Sequence, residues 1–238
     1  MLRGLLGLSL CCSGLVLAVE SDVKLDAAAT EKILASISET FAKTPSLRAK
    51  VVSQREEKLT GDMLPKEKGE FILQRPAKMI VRYEAKAGQY KVRQLLGTTY
   101  REYSPNTKKC EVSDFSKAAK KLALLRAAMT GDVAVLQEYF TIEVFCAAEN
   151  IKPTRLRLVL TPRADAPIIA DYKSIEARLT EGQAFFDFIR YVPKNGDPGE
   201  DVYSEIEPTE ELTDKDFADA LIEKAPKQVT RVRDEEKK

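Results

Sequence analysis

The sequence predicts an α+β fold, an incomplete antiparallel β half-barrel of about 11 strands with a helical lid on its concave face. Three observations support this. Short runs of alternating apolar and polar residues recur along most of the 238 residues. Turn residues separate them roughly every 8–12 positions, the spacing of an antiparallel meander. A helical pair interrupts the strands in mid-chain. Because a long meander curls instead of staying flat, we expect a concave sheet with helices across its mouth.

The first 18 residues are predicted to be a secretory signal peptide. Arg3 provides a positive start, and residues 5–18 are apolar and end in the small residue that cleavage requires. We therefore expect export across the inner membrane into the periplasm. Lipidation at Cys11 or Cys12 is the alternative interpretation.

The first predicted helix covers residues 26–43. Its apolar stripe recurs at four-residue spacing and consists of Ile33, Leu34, Ile37 and Phe41. Thr44-Pro45 ends the helix, because the residue before a proline avoids the helical conformation. Residues 46–59 then alternate between apolar and polar positions, which predicts a strand with one wet face.

Residues 71–85 are predicted to form two strands joined at Arg75-Pro76. Arg75 shares a face with Phe71 and Leu73, so it lies inward where the proline ends the ladder. An inward guanidinium needs acceptors, and the carbonyl ends of the lid helices are the nearest supply. Arg75 is thus predicted to be a latch, meaning a polar contact that holds the lid closed. The alternative is that it points to solvent.

The remaining strands follow the same alternating pattern on either side of the helical pair. Before the pair they cover residues 89–96, 98–103 and 108–113, and after it 142–146, 155–160, 175–179, 183–192 and 202–206. A short helix is predicted within residues 212–222, capped by Thr213 or Asp214. These elements place one domain at residues 19–223. Residues 224–238 carry mixed charges and are predicted to be a disordered tail.

The predicted lid consists of two helices. Residues 114–129 have helical periodicity, Thr130-Gly131 breaks it, and Asp132 is positioned to cap a second helix that ends at Phe140. An apolar stripe of this kind is also typical of plain core. If it instead covers a concave sheet, the enclosed space would suit a hydrophobic ligand. The candidate cavity residues are Phe71, Leu73, Met79, Val81, Tyr83, Val92, Leu122, Leu125, Leu136, Leu156 and Leu158.

Most catalytic arrangements are excluded by composition. The chain has no histidine, which rules out Ser-His-Asp and Cys-His systems, and it has no glycine-rich phosphate loop. Only two cysteines follow the signal peptide, too few for a zinc site. A formal net charge of +1 argues against nucleic acid as a partner. We therefore expect a non-enzymatic protein with no cofactor and no metal.

Cys110 and Cys146 stand in strand-like runs on either side of the helical pair. Export permits a disulfide, and the two residues could meet if their strands were neighbours in the meander. Two buried free thiols are the alternative.

Three segments resemble the outer-membrane lipoprotein carrier protein (LolA) family. They are GEFILQRPAKMIVRYEA at residues 69–85, GTTYREYSP at 97–105 and LRLVLTPR at 156–163. The family pattern of a strand ending in Arg-Pro matches Arg75-Pro76. The chain departs from the family at Val81 and Tyr100, where tryptophans are usual, and in the acidic loop at residues 195–201.

The resemblance implies a monomeric periplasmic carrier that shields lipoprotein acyl chains between the inner and outer membranes. Its partners would be acylated lipoproteins, an inner-membrane release complex and an outer-membrane acceptor. Arg75 would correspond to the family arginine that holds the lid helices shut. A sensor or scaffold of the same fold, which binds lipid or protein signals, is the alternative. A lipidated outer-membrane acceptor is a third.

Overall fold

The structure is a computed structural model that describes residues 22–84, 90–147, 154–166 and 172–233. The signal-peptide prediction lies outside these residues. The strands are β1 (Asp22–Lys24), β2 (Ser46–Arg55), β3 (Glu67–Gln74), β4 (Lys78–Tyr83), β5 (Lys91–Leu96), β6 (Thr99–Ser104), β7 (Lys109–Lys117), β8 (Phe140–Ala147), β9 (Arg155–Pro162), β10 (Tyr172–Thr180), β11 (Phe188–Pro193), β12 (Gly199–Pro208) and β13 (Lys227–Arg233). The helices are α1 (Ala27–Ala42), α2 (Ala119–Thr130), α3 (Val133–Tyr139), α4 (Asp214–Phe217) and α5 (Ala220–Lys224).

All 13 strands of the described chain belong to one open sheet, in the order β1-β8-β9-β10-β11-β12-β2-β3-β4-β5-β6-β7-β13. Neighbours are antiparallel except β7 and β13, which are parallel. The α+β half-barrel prediction is therefore confirmed. The sheet consists of two meanders, β2–β7 and β8–β12, which the pairing of β12 with β2 joins in the middle.

The topology explains why the helical pair crosses the sheet. In the sheet order, β7 and β8 each stand one strand from opposite ends. The segment between them must therefore run from one end of the curled sheet to the other, and that segment is α2 and α3. No helix within the described ranges is long and apolar enough to cross a membrane.

The first helix agrees closely with its prediction. The Asp26 side chain caps α1 by accepting a hydrogen bond from the Ala29 amide at 2.8 Å. Leu34, Ile37 and Phe41 are buried against the sheet. The stripe at four-residue spacing is thus the face that covers the concave side.

The strands β3 and β4 carry apolar residues on both faces. Phe71 lies opposite Val81 in the concave core, as predicted. The alternate residues Ile72 and Ile80 are also buried, because Phe217 of α4 packs on the convex face. A second, convex core therefore lies behind this half of the sheet. The alternation of residues along the two strands predicted only the concave one.

Two boundary predictions are wrong. The sequence predicts that the lid helix begins at residue 114, but β7 continues to Lys117, because its last residues pair with β13 and Lys117 stands opposite Arg233. The tail was expected to be disordered from residue 224. Residues Lys227–Arg233 instead form β13, since edge pairing uses backbone groups and needs no apolar side chains.

The disulfide prediction is also wrong. Cys110 and Cys146 are both free thiols. They belong to β7 and β8, which are not neighbours, because the helical pair between them spans the sheet instead of forming a hairpin. Cys110 is buried in the convex core, while Cys146 is half-buried, so the alternative of two buried free thiols is correct for both as free thiols but for Cys110 alone as a buried one.

Candidate functional site

A cavity of about 440 Å³ lies between the helices α1–α3 and the sheet half formed by β8–β11. Its size falls within the 300–1,000 Å³ or so of small-molecule pockets. The residues that line it are Leu34, Ile37, Phe115, Lys121, Leu124, Leu125, Ala128, Val133, Leu136, Phe140, Ile142, Leu158, Leu160, Tyr172, Ile175, Ala177, Phe186 and Ile189. Almost all are apolar, so the wall offers contact to hydrocarbon and few hydrogen bonds.

Local periodicity explains how the wall forms. The lining residues of α2 are Lys121, Leu124, Leu125 and Ala128, which share one helix face at i, i+3, i+4 and i+7. In β9, Leu158 and Leu160 alternate with outward residues and face Ala177 and Ile175 of β10 across the ladder. The small side chains of Ala128 and Ala177 leave open space between helix and sheet.

The other half of the concave face is filled by a cluster of aromatic rings. Phe71 stacks on Phe185 with ring centroids 5.2 Å apart, and Phe185 meets Tyr203 edge-on at the same distance. Phe41 of α1 meets Phe186 at 5.3 Å. This packing fills the region beneath β3 and β4, whereas the cavity of about 440 Å³ lies on the β8–β11 side.

Only part of the predicted cavity set lies along the cavity. Leu125, Leu136 and Leu158 line it. A second group lies in or against the packed concave core, and consists of Phe71, Leu73, Met79, Val81, Tyr83 and Leu156. Leu122 is buried on another side of α2. The sequence correctly indicated concave-facing positions in this second group, but the aromatic cluster occupies the space beside them.

Val92 requires a larger correction, because it lies on the opposite face of the sheet. It is buried in the convex core with Phe217 and Ile222 of the C-terminal helices. In β5 the concave core position is Leu95. Both faces of this strand are covered, so alternation alone could not assign the side.

Arg75 connects three separate segments through backbone carbonyls. Its Nε donates to the Met129 carbonyl at 2.8 Å, in the last turn of α2. Its Nη2 donates to the Ala184 carbonyl at 2.9 Å, and its Nη1 donates to the Thr44 carbonyl just after α1. The guanidinium also lies over the Phe41 ring, 4.8 Å from its centroid. Burial lowers the pKa of Arg75 to about 10, so the side chain remains charged at neutral pH.

A network of charged and phenolic side chains lies beyond the aromatic cluster, and the sequence did not predict it. Arg93 Nε is 3.3 Å from Glu102 Oε2, an ion pair without good hydrogen-bond alignment, while Tyr100 donates to the same oxygen at 3.0 Å. Burial raises the pKa of Tyr83 to about 12 and also raises that of Asp201. Cations and carboxylates are intermixed, so the network balances much of its own charge.

No family model and no curated protein matches the chain. Among solved structures, the chain is similar to a LolA superfamily protein. That protein, from Nitrosomonas europaea, has 13% identity and a TM-score of 0.39, and the match covers 79% of this chain and 97% of that one. The lipoprotein LppX of Mycobacterium tuberculosis has 10% identity and a TM-score of 0.41, with 77% and 99% covered.

A chain of the MucA/MucB complex from Pseudomonas aeruginosa is also similar, with 12% identity and a TM-score of 0.46. That match covers 81% of this chain and 62% of the other. All three likenesses concern the fold and carry no argument about ligand or partner.

Proposed function

We propose that this chain is a non-catalytic periplasmic carrier that holds the acyl chains of lipoproteins and transfers them from the inner to the outer membrane. The observation that carries the proposal is the apolar cavity between α1–α3 and β8–β11. Its wall suits hydrocarbon, and helices that span the mouth of an open sheet provide a cover that is able to separate from it. The LolA resemblance of residues 69–85 supports the same function.

The energetics suit a carrier. Burying hydrocarbon contributes roughly 0.8 kcal/mol per methylene, so a sixteen-carbon chain fully removed from water gains on the order of 10 kcal/mol. Such a gain is enough to extract an acyl chain but would also trap it. Release therefore requires an opposing contribution that favours the empty, closed protein. The three carbonyl bonds of Arg75 supply one, because they re-form when the helices close.

The proposal includes partners at both membranes. An inner-membrane complex would load the acylated lipoprotein, and an outer-membrane acceptor would receive it. The predicted signal peptide would place the chain in the periplasm. We further propose that the carrier acts as a monomer, with no cofactor.

The decisive experiment combines native mass spectrometry with a matched pair of substitutions on α2. The protein is purified without detergent from its native envelope, and bound acyl species are measured. Ala128→Trp places a large ring at the cavity, whereas Ala123→Trp adds the same ring to an exposed position of the same helix outside the cavity. We expect acyl species in the wild type and in Ala123→Trp, and at least a tenfold reduction in Ala128→Trp, since the ring occupies space that the chain needs.

Two results would contradict the carrier function. Absence of acyl species from all three proteins would remove its basis. Acyl species in the wild type, but no release of triacylated lipoprotein from spheroplasts by the purified protein, would retain lipid binding and reject transport. In that case capture of a regulatory protein would favour the sensor alternative.

A further inference from the structure

One stretch of the lid carries basic residues without an acidic residue among them. Residues 115–131 contain Lys117, Lys120, Lys121 and Arg126 but no acidic residue, whereas the whole chain has a formal net charge of +1. The acidic residues that flank this segment are used for local capping. Asp114 accepts from the Ser116 amide at 2.9 Å, and Asp132 accepts from the Val135 amide at 3.3 Å. With Glu138 of α3 these acids nearly balance the four cations over residues 114–140, so the excess of basic charge belongs to α2 and not to the lid as a whole.

One of these cations belongs to the cavity wall itself. Lys121 is the charged residue among the lining side chains that the structure describes, and it shares the α2 face of Leu124, Leu125 and Ala128. It stands at the beginning of that face, in the first turn of the helix. A lysine in such a place lays its methylene stem along apolar surface and keeps its ammonium at the polar rim. The cavity therefore has an apolar interior and a cationic group at its edge.

We propose that the cavity also accepts an anionic amphiphile, with its acyl chain inside and its carboxylate or phosphate paired with Lys121. The inference rests on the proposed function, since it assumes that acyl chains enter the cavity, and it adds a second class of ligand besides the acyl chains of lipoproteins. Lys121 has a partner of its own within the protein, so the headgroup would exchange with that partner. In this exchange the ammonium would donate a charge-assisted hydrogen bond to the carboxylate or phosphate.

The test compares ligands that share a dodecyl chain and differ only in headgroup. Dodecanoate, dodecyl phosphate, neutral dodecyl maltoside and dodecyltrimethylammonium are each used, below micelle formation, to displace the uncharged fluorescent probe N-phenylnaphthylamine from the full-length protein. We expect the two anionic ligands to bind about tenfold more tightly than the maltoside, and the cationic ligand to bind most weakly. The preference should decrease as salt is added, because screening weakens partly exposed pairs.

Two lysines of α2 provide a matched comparison. Lys121→Met removes the charge at the cavity wall, whereas Lys120→Met removes the same charge from an adjacent exposed position that does not line the cavity. We expect Lys121→Met to abolish the anionic preference while it still binds dodecyl maltoside. Lys120→Met should keep most of that preference. Lys121→Glu should reverse it in favour of the ammonium ligand.

Each outcome separates the headgroup inference from the proposed function. Displacement by all four ligands with equal affinity, or equal effects of Lys120→Met and Lys121→Met, would overturn the headgroup inference and leave acyl binding intact. Failure of every ligand to displace the probe would overturn both. Tighter binding of dodecanoate than of dodecyl phosphate would point to a free fatty acid, and the reverse order to a phospholipid.

Discussion

Arg75 is bonded to carbonyl oxygens that belong to three segments far apart in the chain, namely those of Thr44, Met129 and Ala184. A planar guanidinium with five donors is suited to such a task, because a lysine ammonium cannot reach three separated acceptors in one plane. The Met129 carbonyl lies in the last turn of α2, where helix carbonyls lack partners in their own helix, and the Thr44 carbonyl lies just beyond the end of α1. The side chain thus satisfies an unpaired acceptor of α2 and connects it to the segment that follows α1.

We predict that Arg75→Leu still accepts acylated cargo but releases it poorly. Hydrogen bonds from a charged donor contribute about 1.5–3 kcal/mol, and their loss would destabilise the closed protein relative to the loaded one. Cargo should then be held about ten- to a hundredfold more tightly, measured as its dissociation rate and as transfer to acceptor membranes. Arg163→Leu is the control, since that arginine pairs with Asp165 at the surface. Unchanged release from Arg75→Leu would reject the latch.

Asp216 stabilises the start of α4 through a capping box with Thr213. Hydrogen bonds from the Thr213 backbone and hydroxyl, followed by one from Arg48, lower the pKa of the carboxyl group from 3.8 to about 2. A group whose pKa is depressed on folding stabilises the fold above its unfolded pKa. That stabilisation is lost as the pH falls through the folded pKa.

We therefore predict that Asp216→Ala is less stable than the wild type at neutral pH and that the difference disappears between pH 3.8 and about 2. Thermal unfolding across this range measures it. Asp214→Ala is the control, because it removes an exposed carboxylate from the same turn without touching the capping box. A constant difference between Asp216→Ala and the wild type down to the lowest pH would show that the charge of the Asp216 carboxylate does not stabilise the fold.

At the scale of elements, α3 is the part of the lid with the weakest anchor. The short helix α3 has no buried residue, whereas α2 has three, Leu122, Ala127 and Met129. By contrast β3 contributes three consecutive buried residues, because both of its faces are covered. Segments that must move in function come from the less stable parts of a fold.

We predict faster amide hydrogen exchange in α2 and α3 than in β3 and β4. The helix α1 is an internal control, since it has the same secondary structure but buries Leu34, Ile37 and Phe41 in the concave core. Exchange measured by mass spectrometry should rank the lid fastest, α1 intermediate and β3–β4 slowest. Equal protection in the lid and in β3–β4 would instead identify the helices as fixed core.

At the scale of the whole molecule, the open sheet ends at β13, whose side chains are mostly exposed. It pairs in parallel with β7 and so occupies an edge that would otherwise present unpaired backbone groups. Because β13 buries little apolar surface, its contribution to unfolding free energy is expected to be small. We expect β13 to matter more for preventing self-association through the β7 edge than for stability.

We predict that deletion of residues 227–238 leaves the melting temperature nearly unchanged but produces concentration-dependent oligomers. The exposed β7 edge would then pair with another copy. Size-exclusion chromatography with light scattering measures this, and deletion of residues 234–238 alone is the control, since it retains β13. A strictly monomeric protein after the longer deletion would show that the β7 edge needs no cover.

Local sequence pattern was sufficient for much of this protein. Alternation with period two placed most strands, four-residue spacing placed α1, and Asp132 placed the start of α3. The inward position of Arg75 followed from its parity with Phe71 and Leu73. These features depend on neighbours within a few residues, so the chain itself contains the information.

The tertiary structure decided everything that depends on which distant segments meet. Pairing of β12 with β2 joined the two meanders, and the aromatic cluster filled one half of the concave face, while the cavity described above lies beside β8–β11. Packing of α4 and α5 on the convex face decided the side on which Val92 lies. Periodicity reports that a residue is buried but not what covers it, because covering requires contacts between segments a hundred or more residues apart.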